Sequence, residues 1–261
     1  MNQKIMMHSG YTEVNGLNMY HEVHGAGKPL VLIHGGGSTI ETSFGNLIPL
    51  LSKKRQIIGV ELQAHGHTMD RGHDTSFEQD ADDVTAMVKK LKLGRVDILG
   101  FSNGGHTAIE IALRHPEIVN KIIFASTFYT REGVVPGFWD GFEGATLDMM
   151  PADLQAGYLK ANNSKEGLLT MFNRDVKRMK SFKGWTANQL RSIEVPVLII
   201  NGTQDVGTVE HAVEMYRIFP DCELAIFPGG HGVYLGAVES LENGRWPAFN
   251  AVHLIDEFLE R

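Results

Sequence analysis

Ile98-Leu99-Gly100-Phe101-Ser102-Asn103-Gly104-Gly105 decides how this chain of 261 residues reads. Val96 to Leu99 is a short apolar strand, Gly100 to Gly104 is a Gly-x-Ser-x-Gly turn, and an apolar-periodic stretch from Thr107 to Leu113 follows. A serine on such a strand-to-helix turn sits in a strained backbone with its hydroxyl exposed above the sheet edge. The flanking glycines let strand and helix approach without side-chain clashes. The five letters alone are a weak signal, but the strand before them and the helix after them make Ser102 a candidate nucleophile.

Upstream, Tyr11 to Val14 and Leu17 to Val23 alternate around Asn15-Gly16, which predicts a hairpin with a type I′ turn. Pro29 to His34 is a continuous apolar run, of the kind buried on both faces of a parallel sheet, and it enters Gly35-Gly36-Gly37. A helix from about Ser43 to Leu51 and a strand from Gln56 to Val60 are expected next. Ser76-Phe77-Glu78-Gln79 fits a capping box opening a helix that stops at Gly94. Helix 103–114 and strand 121–125 follow the serine turn.

From Tyr129 to Leu190 no strand-like run occurs, and helical patches alternate with Gly, Asn and Pro. Strand 195–200, helix 208–218, strand 223–227 and a last helix from about Pro247 to Glu260 then resume the alternation. The expected fold class is α/β, a mostly parallel sheet with helices on both faces, entered through an antiparallel hairpin. Residues 1–128 and 191–261 form the expected core, and 129–190, too long for a structureless loop, an inserted helical cap.

A serine hydroxyl needs a neighbouring base, and the base needs an orienting acid. Asp205 lies just past the carboxyl end of strand 195–200, in Asn201-Gly202-Thr203-Gln204-Asp205. His231 holds the corresponding place one strand later, in Pro228-Gly229-Gly230-His231-Gly232. Ligands in open α/β sheets bind beyond the strands' carboxyl ends, so all three residues are expected to converge there. The Asn103 amide at a helix start and the Gly36 amide are the expected oxyanion donors, with Gly37 next. Gly37, Phe101, His106 and Trp139 are taken as substrate contacts.

With these motifs on the page, the chain resembles the α/β-hydrolase superfamily, in the style of small bacterial hydrolases with an inserted cap. Esterases, lactonases, C–C bond hydrolases and cofactor-free haloperoxidases are among them. The resemblance assigns Ser102, Asp205 and His231 as nucleophile, acid and base, and implies that no cofactor is used. A serine at position 102 excludes the epoxide hydrolases and haloalkane dehalogenases, which place Asp there. Where relatives carry Asp-x-Arg-Gly-His-Gly-x-Ser, this chain has Glu61-Leu62-Gln63-Ala64-His65-Gly66-His67-Thr68.

Composition narrows the partners. A net charge of −7 and no basic run argue against nucleic acid, and no apolar run approaches the roughly 18 residues that span a bilayer. The single cysteine, Cys222, excludes an internal disulfide, and Met1 to His8 lacks the apolar region of an export signal, so a cytoplasmic location is expected. His65, His67 and His73 with Asp70 and Asp74 lack the spacing of a binuclear metal site, so no metal is expected. The cap's aromatic and Met residues predict an apolar pocket, and its Lys177, Arg178, Lys180 and Lys183 read as solvated. The expected partner is a small, largely apolar ester or lactone, cleaved through an acyl-enzyme on Ser102 by a carboxylesterase-type enzyme. C–C bond hydrolysis, perhydrolysis and a non-catalytic ligand-binding protein remain as alternatives, and the oligomeric state is open between monomer and homodimer.

Overall fold

The computed structural model describes residues 7–261; residues 1–6 of the stretch read above for an export signal lie outside the described residues. Strands β1 (Met7–Val14) and β2 (Leu17–His24) form the antiparallel hairpin, with Asn15 and Gly16 both at positive φ (47° and 77°), as a type I′ turn requires. The remaining strands are β3 (Pro29–Ile33), β4 (Gln56–Val60), β5 (Val96–Phe101), β6 (Val119–Ala125), β7 (Val197–Gln204) and β8 (Cys222–Gly230). They join the hairpin in one sheet of order β1-β2-β4-β3-β5-β6-β7-β8, antiparallel between β2 and β4 and parallel from β4 to β8.

The unbroken apolar runs are explained by the pleat. Along β3, Val31 and Ile33 enter one core while Leu30 and Leu32 enter the core on the opposite face. Helices α1 (Ile40–Phe44) and α2 (Ile48–Leu51) follow β3, α3 (Phe77–Lys90) follows β4, and α4 (Asn103–Arg114) follows β5. Helices α3 and α4 pack on the face of Val31 through Val84, Met87, Val88, Ile109 and Ile111, all buried. Phe44, Leu51, Ile255 and Phe258 pack on the face of Leu30. Each such side chain stabilises by about 1.5–3 kcal/mol through area removed from water.

Between β6 and β7 the chain forms α5 (Ala152–Asn162), α6 (Lys165–Lys180) and α7 (Ala187–Arg191), preceded by short 3-10 turns. Helices α8 (Val209–Ile218) and α9 (Val252–Glu260) complete the molecule. Among the described residues no helix is long and apolar enough to cross a membrane.

Several boundaries differ from expectation for local reasons. The helix expected from Ser43 to Leu51 is two short ones, because Thr39 and Thr42 cap a start at Ile40 and Pro49 opens a second start after Gly45. Ser76 caps α3 by accepting the Gln79 amide, but the Gln79 side chain turns to Asp83 rather than closing the box. The last helix starts at Val252, five residues after Pro247, with Asn250 Oδ1 accepting the Val252 amide. The strand order reverses beside β3, so the Gly35–Gly37 loop and the serine turn after β5 flank the crevice that such a switch point opens.

Candidate active site

Ser102 stands at φ 54° and ψ −120° between β5 and α4, a backbone region L-residues rarely adopt. Its amide donates to the Ala125 carbonyl at 2.8 Å, and its own carbonyl accepts from Gly105 at 2.9 Å. A methyl on Gly104 would run into the Ile33 carbonyl oxygen, and one on Gly105 into Thr127. Close approach of α4 to β3 and β6 therefore explains the small residues after the serine, and it leaves the Asn103 amide at the helix start.

Asp205 follows the end of β7 and is surrounded by donors. Its Oδ1 accepts from His231 Nδ1 at 2.6 Å and from the Val206 amide at 2.8 Å. Its Oδ2 accepts from Ser126 Oγ at 2.5 Å and the Gly202 amide at 3.0 Å. Burial works against the carboxylate's charge, but His231 and Ser126 outweigh it and hold the group below its ordinary range. For His231, burial disfavours the imidazolium, and the Asp205 charge overcomes that and raises the pKa above 6.5. Thr208, rather than Asp205, caps α8.

Ser126 is a part of this arrangement that sequence reasoning missed. It is fully buried at φ 53° just past β6, with its Oγ 2.7 Å from the Tyr234 hydroxyl. Its position after that strand is one where this architecture can place an acid, which was the available signal.

Ser102, Asn103, Gly36, Gly37 and His231 line one wall of a cavity of about 440 Å³. The opposite wall, from the helical segment, includes Phe138, Phe142, Met150, Phe172 and Met179. Asp175 on α6 also lines it, and among the described lining residues none is Lys or Arg.

Five expectations are corrected. Gly37 lines the cavity, but its amide is already donated to Asp175 Oδ2 at 2.7 Å, so of the three expected oxyanion donors it is the engaged one, while Gly36 and Asn103 are lining residues as well. Phe101 does not line the cavity; its ring lies 4.9 Å from that of His231 and fills the space where a Gly232 side chain would go. His106 is enclosed by Phe77, Phe128, Phe182 and Trp185, with Nε2 2.8 Å from the Phe128 carbonyl oxygen, and burial pushes its pKa down to about 3. Trp139 donates to the Arg131 carbonyl at 2.8 Å and stacks on Phe182, so it joins the helical segment to itself rather than facing the cavity. Arg178, expected in solvent, is buried between Asp80 and Asp175, at 2.6 Å from each. The histidines and aspartates weighed as a metal cluster pair elsewhere: His65 with Asp175, His67 with Glu61, and Asp70 and Asp74 with Arg174.

Known proteins resemble this chain over nearly its full length. A family model described as the alpha/beta hydrolase fold matches residues 28–150. The human serine hydrolase BPHL is 26% identical over 244 residues, covering 87% of this chain and 81% of that protein. The 2-hydroxy-6-oxo-6-(2'-aminophenyl)hexa-2,4-dienoic acid hydrolase of Metapseudomonas resinovorans is 24% identical over 259 residues, covering 89% and 88%. The crystal structure of a serine hydrolase involved in carbazole degradation superposes with a TM-score of 0.79 at 20% identity, covering 98% of this chain and 99% of that one. A pimeloyl-[acyl-carrier protein] methyl ester esterase of Nitrosomonas europaea and an enol-lactonase from Burkholderia xenovorans are among the other matches.

Proposed function

We propose that this chain, which has the alpha/beta hydrolase fold, is a serine hydrolase cleaving an uncharged carboxylic ester or lactone. The carrying observation is the shared cavity wall: Ser102 on its strained turn, His231 bonded to Asp205 at 2.6 Å, and the lining residues Gly36 and Asn103. In this reading His231 takes the Ser102 proton as the oxygen attacks the carbonyl, while the two amides hold the oxyanion. His231 then protonates the leaving alcohol, and water activated by the same imidazole releases the acid from the acyl-enzyme. Asp205 keeps the Nδ1 proton in place throughout, so that Nε2 is free to accept.

A fluorophosphonate probe tests the reading directly. Stoichiometric adduct on the Ser102 peptide, absent in Ser102→Ala, is the expected mass-spectrometric result; an intact wild-type protein that takes up no probe would sink it.

Lining chemistry separates the ester reading from the C–C hydrolase one. A relative's name carries a dienoic acid, whereas the described residues lining this cavity offer a substrate carboxylate no Lys or Arg and include the Asp175 carboxyl. Burying an unpaired charge in an apolar site is costly. We expect kcat/KM for a neutral acyl ester to exceed that of the analogue ending in a carboxylate by at least about 30-fold, a difference of about 2 kcal/mol. Comparable values for the two esters would return the C–C reading to first place.

A further inference from the structure

The loop that presents the Gly36 amide is gripped from across the cavity. Asp175 Oδ2, on α6, accepts the Gly37 amide at 2.7 Å. The same oxygen lies 3.2 Å from where a Gly36 side chain would begin, so the carboxylate packs on Gly36 as well as bonding its neighbour.

The carboxylate is itself fixed. Its Oδ1 accepts from Arg178 at 2.6 Å, and the other nitrogen of that guanidinium reaches Asp80 on α3 at 2.6 Å. His65 Nε2 lies 3.0 Å from Oδ2. The Nδ1 of His65 is 2.9 Å from the Gln63 carbonyl oxygen, which can only accept, so both ring nitrogens donate and His65 is an imidazolium. His34, with its ring 4.8 Å away, is the opposite case: Nδ1 donates to the Gly35 carbonyl at 2.8 Å and Nε2 accepts the Leu62 amide at 3.1 Å, so it is neutral. Asp175 therefore accepts from three donors, two of them cationic, and such charge-assisted bonds are short and directional.

Three successive glycines are the most freely rotating backbone a chain can make, and an oxyanion donor acts only while its N–H points at the developing charge. We propose that Asp175 is a positioning residue for the oxyanion hole, holding the Gly36 peptide in register through Gly37 and tying it to the seating of α6. This rests on the serine-hydrolase reading above. The cap then does more than cover the substrate, because it supplies the acceptor that sets the catalytic loop.

The test measures the fluorophosphonate labelling rate and the kcat and KM for p-nitrophenyl butyrate, alongside the thermal melt. The proteins are the wild type, Asp175→Ala, Asp175→Asn and the double variant Asp175→Leu with Arg178→Met. The double change removes the Asp175 and Arg178 charges together but leaves Asp80 without its guanidinium, so Arg178→Met alone is measured beside it as the folding and activity reference. In Asp175→Ala and the double variant, labelling and kcat should fall together by about 30-fold or more while KM moves less than about threefold. Asp175→Asn retains an oxygen able to accept the Gly37 amide, although its nitrogen then faces the Arg178 guanidinium, and should label and turn over at least about fivefold faster than Asp175→Ala. Two results overturn the proposal: a folded double variant labelled at the wild-type rate, or losses that only track the folded fraction with Asn no better than Ala. A wild type that takes no label is a different failure, since it removes the serine-hydrolase reading itself.

Discussion

Asp205→Asn lowers kcat toward a neutral ester by about four orders of magnitude, the scale on which a base held in the wrong tautomer fails. The geometry explains why so conservative a change does this. All four neighbours of the Asp205 carboxylate donate: His231 and the Val206 amide to one oxygen, Ser126 and the Gly202 amide to the other. An amide has only one accepting end. With its nitrogen toward Gly202, two N–H groups face each other in a buried site. With its nitrogen toward His231, the imidazole must accept at Nδ1 and carry its proton on Nε2, where it can no longer take the proton of Ser102. The pH profile supplies an independent readout. His231 titrates above 6.5 because the Asp205 charge outweighs the cost of burial. The base is active when neutral, so wild-type kcat/KM rises with pH through that raised value, and the limb moves to lower pH in the variant. A folded variant keeping more than about a hundredth of wild-type kcat would remove Asp205 from the mechanism.

Arg178→Ala destabilises the fold by about 3–5 kcal/mol, because it leaves two buried carboxylates without their shared partner. For a chain of this length that corresponds to roughly 10 °C in Tm. Arg178 is 4% exposed, lies between Asp80 and Asp175, and stacks over Phe77 with its guanidinium carbon 4.6 Å from the ring centre. The pH dependence follows from Asp80, whose pKa burial raises from 3.8 to about 6 even with Arg178 beside it. A raised carboxyl contributes stability that is present below its unfolded value and is lost as pH rises through the folded one. Without the guanidinium the folded value climbs further. Below about 6 both folded proteins hold the Asp80 proton and lose stability in parallel, so the gap in Tm between wild type and variant should widen as pH rises through about 6 and beyond. A gap of less than a degree or so at neutral pH would show that the pair is electrostatically idle.

Much of this was legible in the chain itself, and the reason differs from element to element. The apolar run Pro29 to Ile33 and the turn around Ser102 carry their structure locally, through burial on two faces and through glycines that let α4 approach. Asp205 and His231 were legible because each closes a strand in the same parallel sheet, so chain order places both at one edge. Asp175 was not, since its bond to Gly37 joins positions 138 residues apart and depends on how α6 lies across the sheet. A clue did exist. Leu168, Met171, Asp175, Arg178 and Met179 share one face of α6, and an acid and a base within an otherwise apolar stripe are paired in the interior rather than solvated. His106 misled in the opposite direction. One helical turn beyond Ser102 it had the right spacing to face a substrate, but α4 turns that side chain into the cluster of Phe77 and Trp185.

The left-handed backbone of Ser102 bears on any attempt to make this protein more heat-resistant. A glycine there would relieve a conformation that costs a residue with a side chain about 1–3 kcal/mol, and the relaxed protein would fold more securely while losing the oxygen proposed as the nucleophile. Selection for survival at high temperature alone would reward that exchange. Thermal tolerance and turnover pull in opposite directions at this residue, so a screen that leaves out turnover would enrich inactive molecules.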